Sequence, residues 1–294
     1  MTILEQKELT TTNIPPSANR SKLAFIGGGN MARSLIGGLL QNDWPAGDIT
    51  VSDPDPAQPA RLYQLDSGLT VIDDNQQAAA TADVVVLAVK PQIMQPVCRD
   101  LATTLSSRKP LIISIAAGIL STDIDRWCGG GLPIVRCMPN TPALVQSGAT
   151  GLFANSAVST EQRALAETLL RAVGTTVWVD DEQMLNAVTA LSGSGPAYVF
   201  LVIEAMQSAG EKLGLPQDIA RLLSIETVFG AAKLALESSE DAATLRERVT
   251  SKGGTTESAL GVLEAGNIRQ LFEDALKAAN QRAEELAEQL GKDQ

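Results

Sequence analysis

Lys22-Leu-Ala-Phe-Ile26-Gly-Gly-Gly29-Asn-Met-Ala32 is a short, largely apolar run that stops at Gly27 and passes straight into a helical pattern. Its spacing from residue 27 is G-x-G-x-x-A. The first Gly permits a tight turn, Gly29 lets backbone approach a pyrophosphate, and a small residue at Ala32 lets helix and strand pack closely. The helix N-terminus that follows offers amide donors and the positive end of its dipole. A strand before the motif and a helix after it are the context in which it binds a dinucleotide, rather than forming a plain glycine turn.

The runs that follow have the same character. Ile49–Ser52, Val84–Val89, Leu111–Ser114 and Ile134–Met138 are short Val/Ile/Leu stretches separated by segments of helical periodicity. Near-continuous apolar runs of this length mark a parallel sheet buried on both faces. Two more strands are expected at Ala149–Ala154 and Thr175–Val179. Between them lies a helix opened by Ser159-Thr-Glu-Gln162, a capping-box spacing.

Beyond about residue 181 the Val/Ile runs cease, and Ala/Leu/Glu/Lys-rich stretches take over at Pro196–Leu213, Pro216–Glu237 and Asn267–Leu290. These read as helices, with Pro196 and Pro216 in first turns where proline is tolerated. The expected fold is α/β: a Rossmann-type doubly wound domain over residues 21–180, then an all-helical domain over 181–294. A flexible tail is expected over residues 1–20.

Composition narrows the chemistry. Among 294 residues there is no histidine, which removes Ser-His and Cys-His nucleophiles, His-ligated metals and imidazole acid-base catalysis. No metal site is expected. A net charge of -11 with 3% aromatic residues gives neither the basic footprint nor the stacking surfaces of a nucleic-acid binder. Three widely spaced cysteines, Cys98, Cys128 and Cys137, fit a reducing compartment. Neither a secretory leader nor a membrane span is read in the chain, so a cytoplasmic protein is expected.

Several polar groups fall where ligands bind in open α/β sheets, beyond the carboxyl ends of strands. Ser52 and Asp53 close the second run. An acid there would bond a ribose 2′-hydroxyl and repel a 2′-phosphate, but Asp53-Pro54 is equally a turn with Asp53 facing solvent. Lys90 ends the Val84–Val89 run, either facing a cofactor or as a solvated charge. Ser114-Ile-Ala-Ala-Gly118 has room for a flat ring. Met138-Pro-Asn-Thr-Pro142 holds Asn140 and Thr141 rigidly, and Leu191-Ser-Gly-Ser-Gly-Pro196 reads as a helix start with Ser194 near the N-cap. In Val249-Thr-Ser-Lys-Gly-Gly-Thr-Thr256 a Gly-Gly turn with two hydroxyls enters a helix. It reads either as an anion site for a small carboxylate or as a threonine cap without a ligand.

Taken in order and spacing, these motifs resemble pyrroline-5-carboxylate reductase over about residues 22 to 290. The last three, Arg136–Pro142, Leu191–Tyr198 and Ser251–Thr256, are particular to that family. The resemblance implies reduction of L-1-pyrroline-5-carboxylate to L-proline with NADPH or NADH, and a helical domain that interlocks two subunits, with dimers assembling as a pentamer of dimers. It places cofactor contacts on Ile26, Gly27, Gly28, Gly29, Asn30, Met31, Ser52, Asp53, Asn75, Val89, Lys90, Pro91 and Ala117. Substrate contacts fall on Glu182, Gly253, Gly254, Thr255 and Thr256, with Thr256 as the catalytic residue. Two departures stand out. Lys252 occupies a position where many members have proline, and Asp53 bears on the usual preference for NADPH. The G-x-x-G-x-G-x-x-x-K pattern of 3-hydroxyacid dehydrogenases is missing.

Overall fold

Strands buried on both faces set the architecture. In β1 (Leu23–Ile26), Leu23 and Phe25 join one apolar cluster with Leu35, Ile36 and Leu39, while Ala24 and Ile26 join another with Met94, Leu101 and Leu105. Successive side chains of a strand point to opposite faces, so a strand apolar at every position must be covered on both. The computed structural model describes residues 21–292; the tail expected over residues 1–20 lies outside them.

β2 (Ile49–Ser52), β4 (Val84–Leu87), β5 (Leu111–Ser114) and β6 (Ile134–Met138) follow the same rule. With β3 (Thr70–Ile72), β7 (Gly148–Ala154) and β8 (Gly174–Trp178) they form one sheet in the order β3-β2-β1-β4-β5-β6-β7-β8. All pairs from β3 to β6 are parallel, and the direction of winding reverses between β1 and β4. β7 runs antiparallel to β6 because only the short 3-10 turn Thr141–Val145 lies between them, too little chain for a crossover. β3 was not expected: three residues hold too few apolar positions to register as a run.

Helices cover both faces. α1 (Asn30–Gln41) supplies Leu35, Ile36 and Leu39 to the first cluster. α4 (Met94–Arg108) supplies Met94, Cys98, Leu101 and Leu105 to the second, and α2 (Gln58–Leu62) and α3 (Asn75–Ala79) are single turns between them in sequence. α5 (Ser121–Trp127) follows β5, and α6 (Thr160–Arg171) opens on the expected capping box. The Gln162 amide donates to Ser159 Oγ at 3.2 Å, and the Ser159 amide donates to Gln162 Oε1 at 3.0 Å.

One expectation about the helical half is corrected. An α-helix does begin within Leu191–Pro196, at Gly195, but it is not a free helix end capped by Ser194. Helical backbone already runs from α7 (Met184–Val188) through a π-turn at Thr189–Gly193 into α8 (Gly195–Lys212). Ser194 is inside this run and donates its N–H to Thr189 O at 2.8 Å, five residues back, instead of capping. Pro196 has no N–H to give to the carbonyl of Ser192, and a π-turn is one of the few ways a helix accommodates such a defect. Pro216, by contrast, is the N-cap of α9 (Gln217–Glu237). α10 (Ala242–Arg248), α11 (Thr255–Ala265) and α12 (Ile268–Leu290) complete the chain.

The described residues form two compact units, one of 21–194 with 278–292 and one of Gly195–Lys277. The change in sequence character near residue 181 thus precedes the break between units, and the end of α12 belongs with the sheet. There Leu290 packs on the second cluster, and Arg126 Nη2 of α5 donates to Gly291 O at 2.9 Å. In the helical unit many large apolar side chains are exposed, among them Phe200, Leu201, Leu222, Leu223, Phe229 and Val262.

Candidate active site

The glycine turn between β1 and α1 is shaped by contacts that a side chain would break. Gly27 has φ of 99°, and a Cβ there would stand 2.7 Å from Ala88 O, so only glycine fits. Its N–H donates to Ser52 O at 2.8 Å. Gly28 donates its N–H to Asp53 Oδ2 at 2.7 Å. Around Gly29 the space a Cβ would enter is open, and Gly29 caps α1 without a side-chain acceptor. The amides of Asn30, Met31 and Ala32 have no intrahelical acceptor, and no acidic residue stands in that first turn. The helix therefore presents bare donors across an open cradle, which suits a pyrophosphate.

At the end of β2, Ser52 is buried and its hydroxyl donates to Asn75 Oδ1 at 2.8 Å. Asn75 opens α3, whose N-cap Asp74 accepts the Gln77 amide at 3.0 Å. The turn thus brings together Ile26–Met31, Ser52, Asp53 and Asn75. Beyond β4, Val89 is half-buried and packs against the second cluster, Lys90 is exposed, and Pro91 opens a 3-10 turn. Ala117 is half-buried in the loop after β5. Gly118 beside it has φ of 72°, and a Cβ there would meet Leu286 of α12 at 3.4 Å.

Glu182 is tied into a buried cluster. Its Oε1 accepts the Ser121 amide at 2.6 Å and Arg136 Nη1 at 2.9 Å, and its Oε2 accepts Ser121 Oγ at 2.8 Å. The carboxylate thereby caps the N-terminus of α5 and pairs with an arginine in the middle of β6. Arg136 and Ser121 were missed from sequence. A charged residue inside the apolar run Ile134–Met138 was the signal that could have found the first.

Asn140 joins two of the family-like motifs. Its Oδ1 accepts the Ala149 amide at 2.9 Å, and its Nδ2 donates at 3.0 Å to Ser192 O, the carbonyl that Pro196 cannot serve. Gly193 packs against Met138, whose Cε would lie 2.8 Å from a Cβ at that position and would have to shift to admit one.

In the helical unit, the Gly253–Thr256 turn leads into α11. Gly253 has φ of 73°, and its amide donates to Glu257 Oε2 at 2.6 Å; the Gly254 amide donates to Ser251 O at 3.0 Å. Gly254 caps the helix without a side-chain acceptor, which leaves the amides of Thr255 and Thr256 without intrahelical partners. Two of the four amides expected to grip a carboxylate are therefore already engaged. Lys252 is exposed. Among the described residues no group of three or more His, Cys, Asp or Glu side chains is placed to hold a metal.

Comparisons with known proteins bear on the family and the fold. Residues 182–286 match the family model described as pyrroline-5-carboxylate reductase dimerisation, and residues 22–118 match the one described as NADP oxidoreductase, coenzyme F420-dependent. The chain is 52% identical to pyrroline-5-carboxylate reductase of Pseudomonas aeruginosa over 270 residues, 92% of this chain and 98% of that protein. Among solved structures, a pyrroline-5-carboxylate reductase from Coxiella burnetii matches with a TM-score of 0.88 at 49% identity, over 92% of this chain and 99% of that one. Pyrroline carboxylate reductase of Plasmodium falciparum, solved with NADP bound, matches with a TM-score of 0.81 at 28% identity, over 92% and 100%.

Proposed function

The chain belongs to the pyrroline-5-carboxylate reductase family, and from that premise we propose how its residues reduce L-1-pyrroline-5-carboxylate to L-proline with NAD(P)H, the last step of proline biosynthesis. The observation that carries this reading is the extent of the similarity, which runs from the glycine turn through the helical unit and not over the nucleotide-binding half alone.

The open cradle at Gly29 and the uncapped first turn of α1 fit a dinucleotide. Bound there, NAD(P)H supplies the hydride. The amides of Asn30, Met31 and Ala32 hold the pyrophosphate, and Ser52, Asp53 and Asn75 flank the adenosine ribose. Val89, Lys90, Pro91 and Ala117 border the nicotinamide and keep water from it. The substrate is a cyclic imine with a carboxylate, and in its protonated form the ring carbon accepts hydride without a protein acid, consistent with a chain that has no histidine. The amides of Thr255 and Thr256 bind the carboxylate and Thr256 Oγ accepts from the protonated ring nitrogen, this loop meeting a cofactor held by a second subunit; Glu182 is a further substrate contact that offers negative charge to the ring. What the protein contributes is orientation of the reacting carbon.

Self-association follows from the dimerisation match. In this reading the helical domain, residues 181–294, interlocks with that of a second copy, and dimers assemble as a pentamer of dimers in the cytoplasm. The exposed apolar side chains of the helical unit support a protein partner as their cover. The helical run Met184–Lys212 is long and apolar enough by composition to cross a membrane. It lies wholly within the dimerisation match, so its exposed residues are assigned to the subunit interface.

A Thr256→Ala variant tests the assignment of the reaction site. Its kcat/KM for the imine should fall more than about threefold, and a smaller fall overturns the role given to that hydroxyl.

A further inference from the structure

Arg136 stands in the interior strand β6, in register with Ser114 of β5 and Phe153 of β7, in a sheet whose strands carry no other charged residue. Its side chain is 7% exposed and that of Glu182 15%. Arg136 Nη1 donates to Glu182 Oε1 at 2.9 Å, while its Nε is buried with no hydrogen-bond partner among the described residues. An ion pair this deep is a poor way to stabilise a fold, because the loss of hydration offsets the attraction between the charges. An orphaned N–H adds to the penalty. Fold stability alone therefore leaves the pair unexplained.

What the pair does is fix a carboxylate. Each carboxylate oxygen accepts about two hydrogen bonds. Glu182 Oε1 takes two, from the Ser121 amide and Arg136, and is filled; Oε2 takes one, from Ser121 Oγ, and keeps one open. The donors sit on a helix N-terminus and a central strand, both rigid, so the free acceptor direction is set by the fold rather than by a side-chain rotamer. Ser114, the register partner of Arg136, also begins the 114–118 loop assigned to the nicotinamide.

We infer that Arg136 is a positioning residue for the reaction: it orients Glu182 so that the open side of Oε2 serves the cationic ring of the substrate. This rests on the reading of Glu182 as a substrate contact. A planar guanidinium suits the task because it holds a carboxylate in a fixed direction, which a lysine ammonium does less strictly.

Steady-state kinetics of Glu182→Gln, Arg136→Met, Arg136→Lys and the Arg136→Met/Glu182→Gln double variant test it, with thermal stability measured alongside. Glu182→Gln and Arg136→Met should each raise KM for pyrroline-5-carboxylate about tenfold, with KM for NADPH within twofold of the parent. Arg136→Lys should recover most of the loss. The double variant should have the substrate KM of Glu182→Gln alone. It leaves no lone buried charge, so it serves even if Arg136→Met does not fold. A normal substrate KM in Arg136→Met overturns the inference, as does an equal rise in KM for NADPH, or a further rise in the double variant beyond Glu182→Gln. A normal substrate KM in Glu182→Gln overturns the reading of Glu182 itself, and the inference with it.

Discussion

The amide of Gly28 donates to Asp53 Oδ2 at 2.7 Å, and the other oxygen of the same carboxylate accepts the Asp55 amide at 2.9 Å. Asp53 is thus a clamp between the glycine turn and the end of β2, half-buried rather than a solvent-facing turn residue. Both oxygens retain acceptor capacity, so the clamp and a bond to a ribose hydroxyl are compatible. The negative charge stays at the place proposed for the adenosine ribose, where it opposes a 2′-phosphate.

Asp53→Asn keeps an oxygen for the Gly28 amide and removes the charge. The ratio of kcat/KM with NADPH to that with NADH should rise about fivefold or more. Asp53→Ser loses the clamp as well and should weaken both cofactors. Matched steady-state rates with the two cofactors check this, and an unchanged ratio in Asp53→Asn shows that the carboxylate does not set the preference.

Gly27→Ala forces a Cβ to within 2.7 Å of Ala88 O at a φ of 99°. Backbone strain of this kind costs about 1–3 kcal/mol, and the overlap adds to it. The variant should melt several degrees lower and bind NADPH at least tenfold more weakly, read by thermal unfolding and by fluorescence titration.

Glu257 puts its own carboxylate on the Gly253 amide at 2.6 Å, beside the amides assigned to the substrate carboxylate. Like charges repel there, so Glu257→Gln should lower KM for pyrroline-5-carboxylate about two- to fivefold with kcat little changed. A raised KM would instead mean that Glu257 shapes the loop for binding.

All three thiols are buried and free. Burial pushes the Cys137 thiol up, and a hydrogen bond with Cys98, followed by burial, pushes Cys128 up. A raised thiol stays protonated, and only the thiolate is a strong nucleophile. Cys128 and Cys137 should therefore resist alkylation in the native protein even at mildly alkaline pH, and react once the chain is unfolded. Mass spectrometry after timed alkylation would show it, and rapid native labelling of Cys137 would contradict the buried assignment.

What sequence alone determined about this protein is what nearest neighbours along the chain encode. Strands buried on both faces announce themselves as unbroken Val/Ile/Leu runs, the glycine turn by a spacing that only glycine conformations satisfy, and the capping box at Ser159 by residues three apart. The order and wording of the motifs carried the family. Tertiary structure alone decided the direction of Asp53, because a side-chain torsion has no signature in sequence. It also decided the cluster of Glu182, Arg136 and Ser121, whose members are 46 and 61 residues apart. The same holds for the π-turn before Pro196, where helical backbone entering from Met184 and the carbonyl taken by Asn140 replace the free, serine-capped helix start read from sequence. Local periodicity reports which face of an element is apolar; which polar groups meet at the edge of the sheet depends on how distant elements pack.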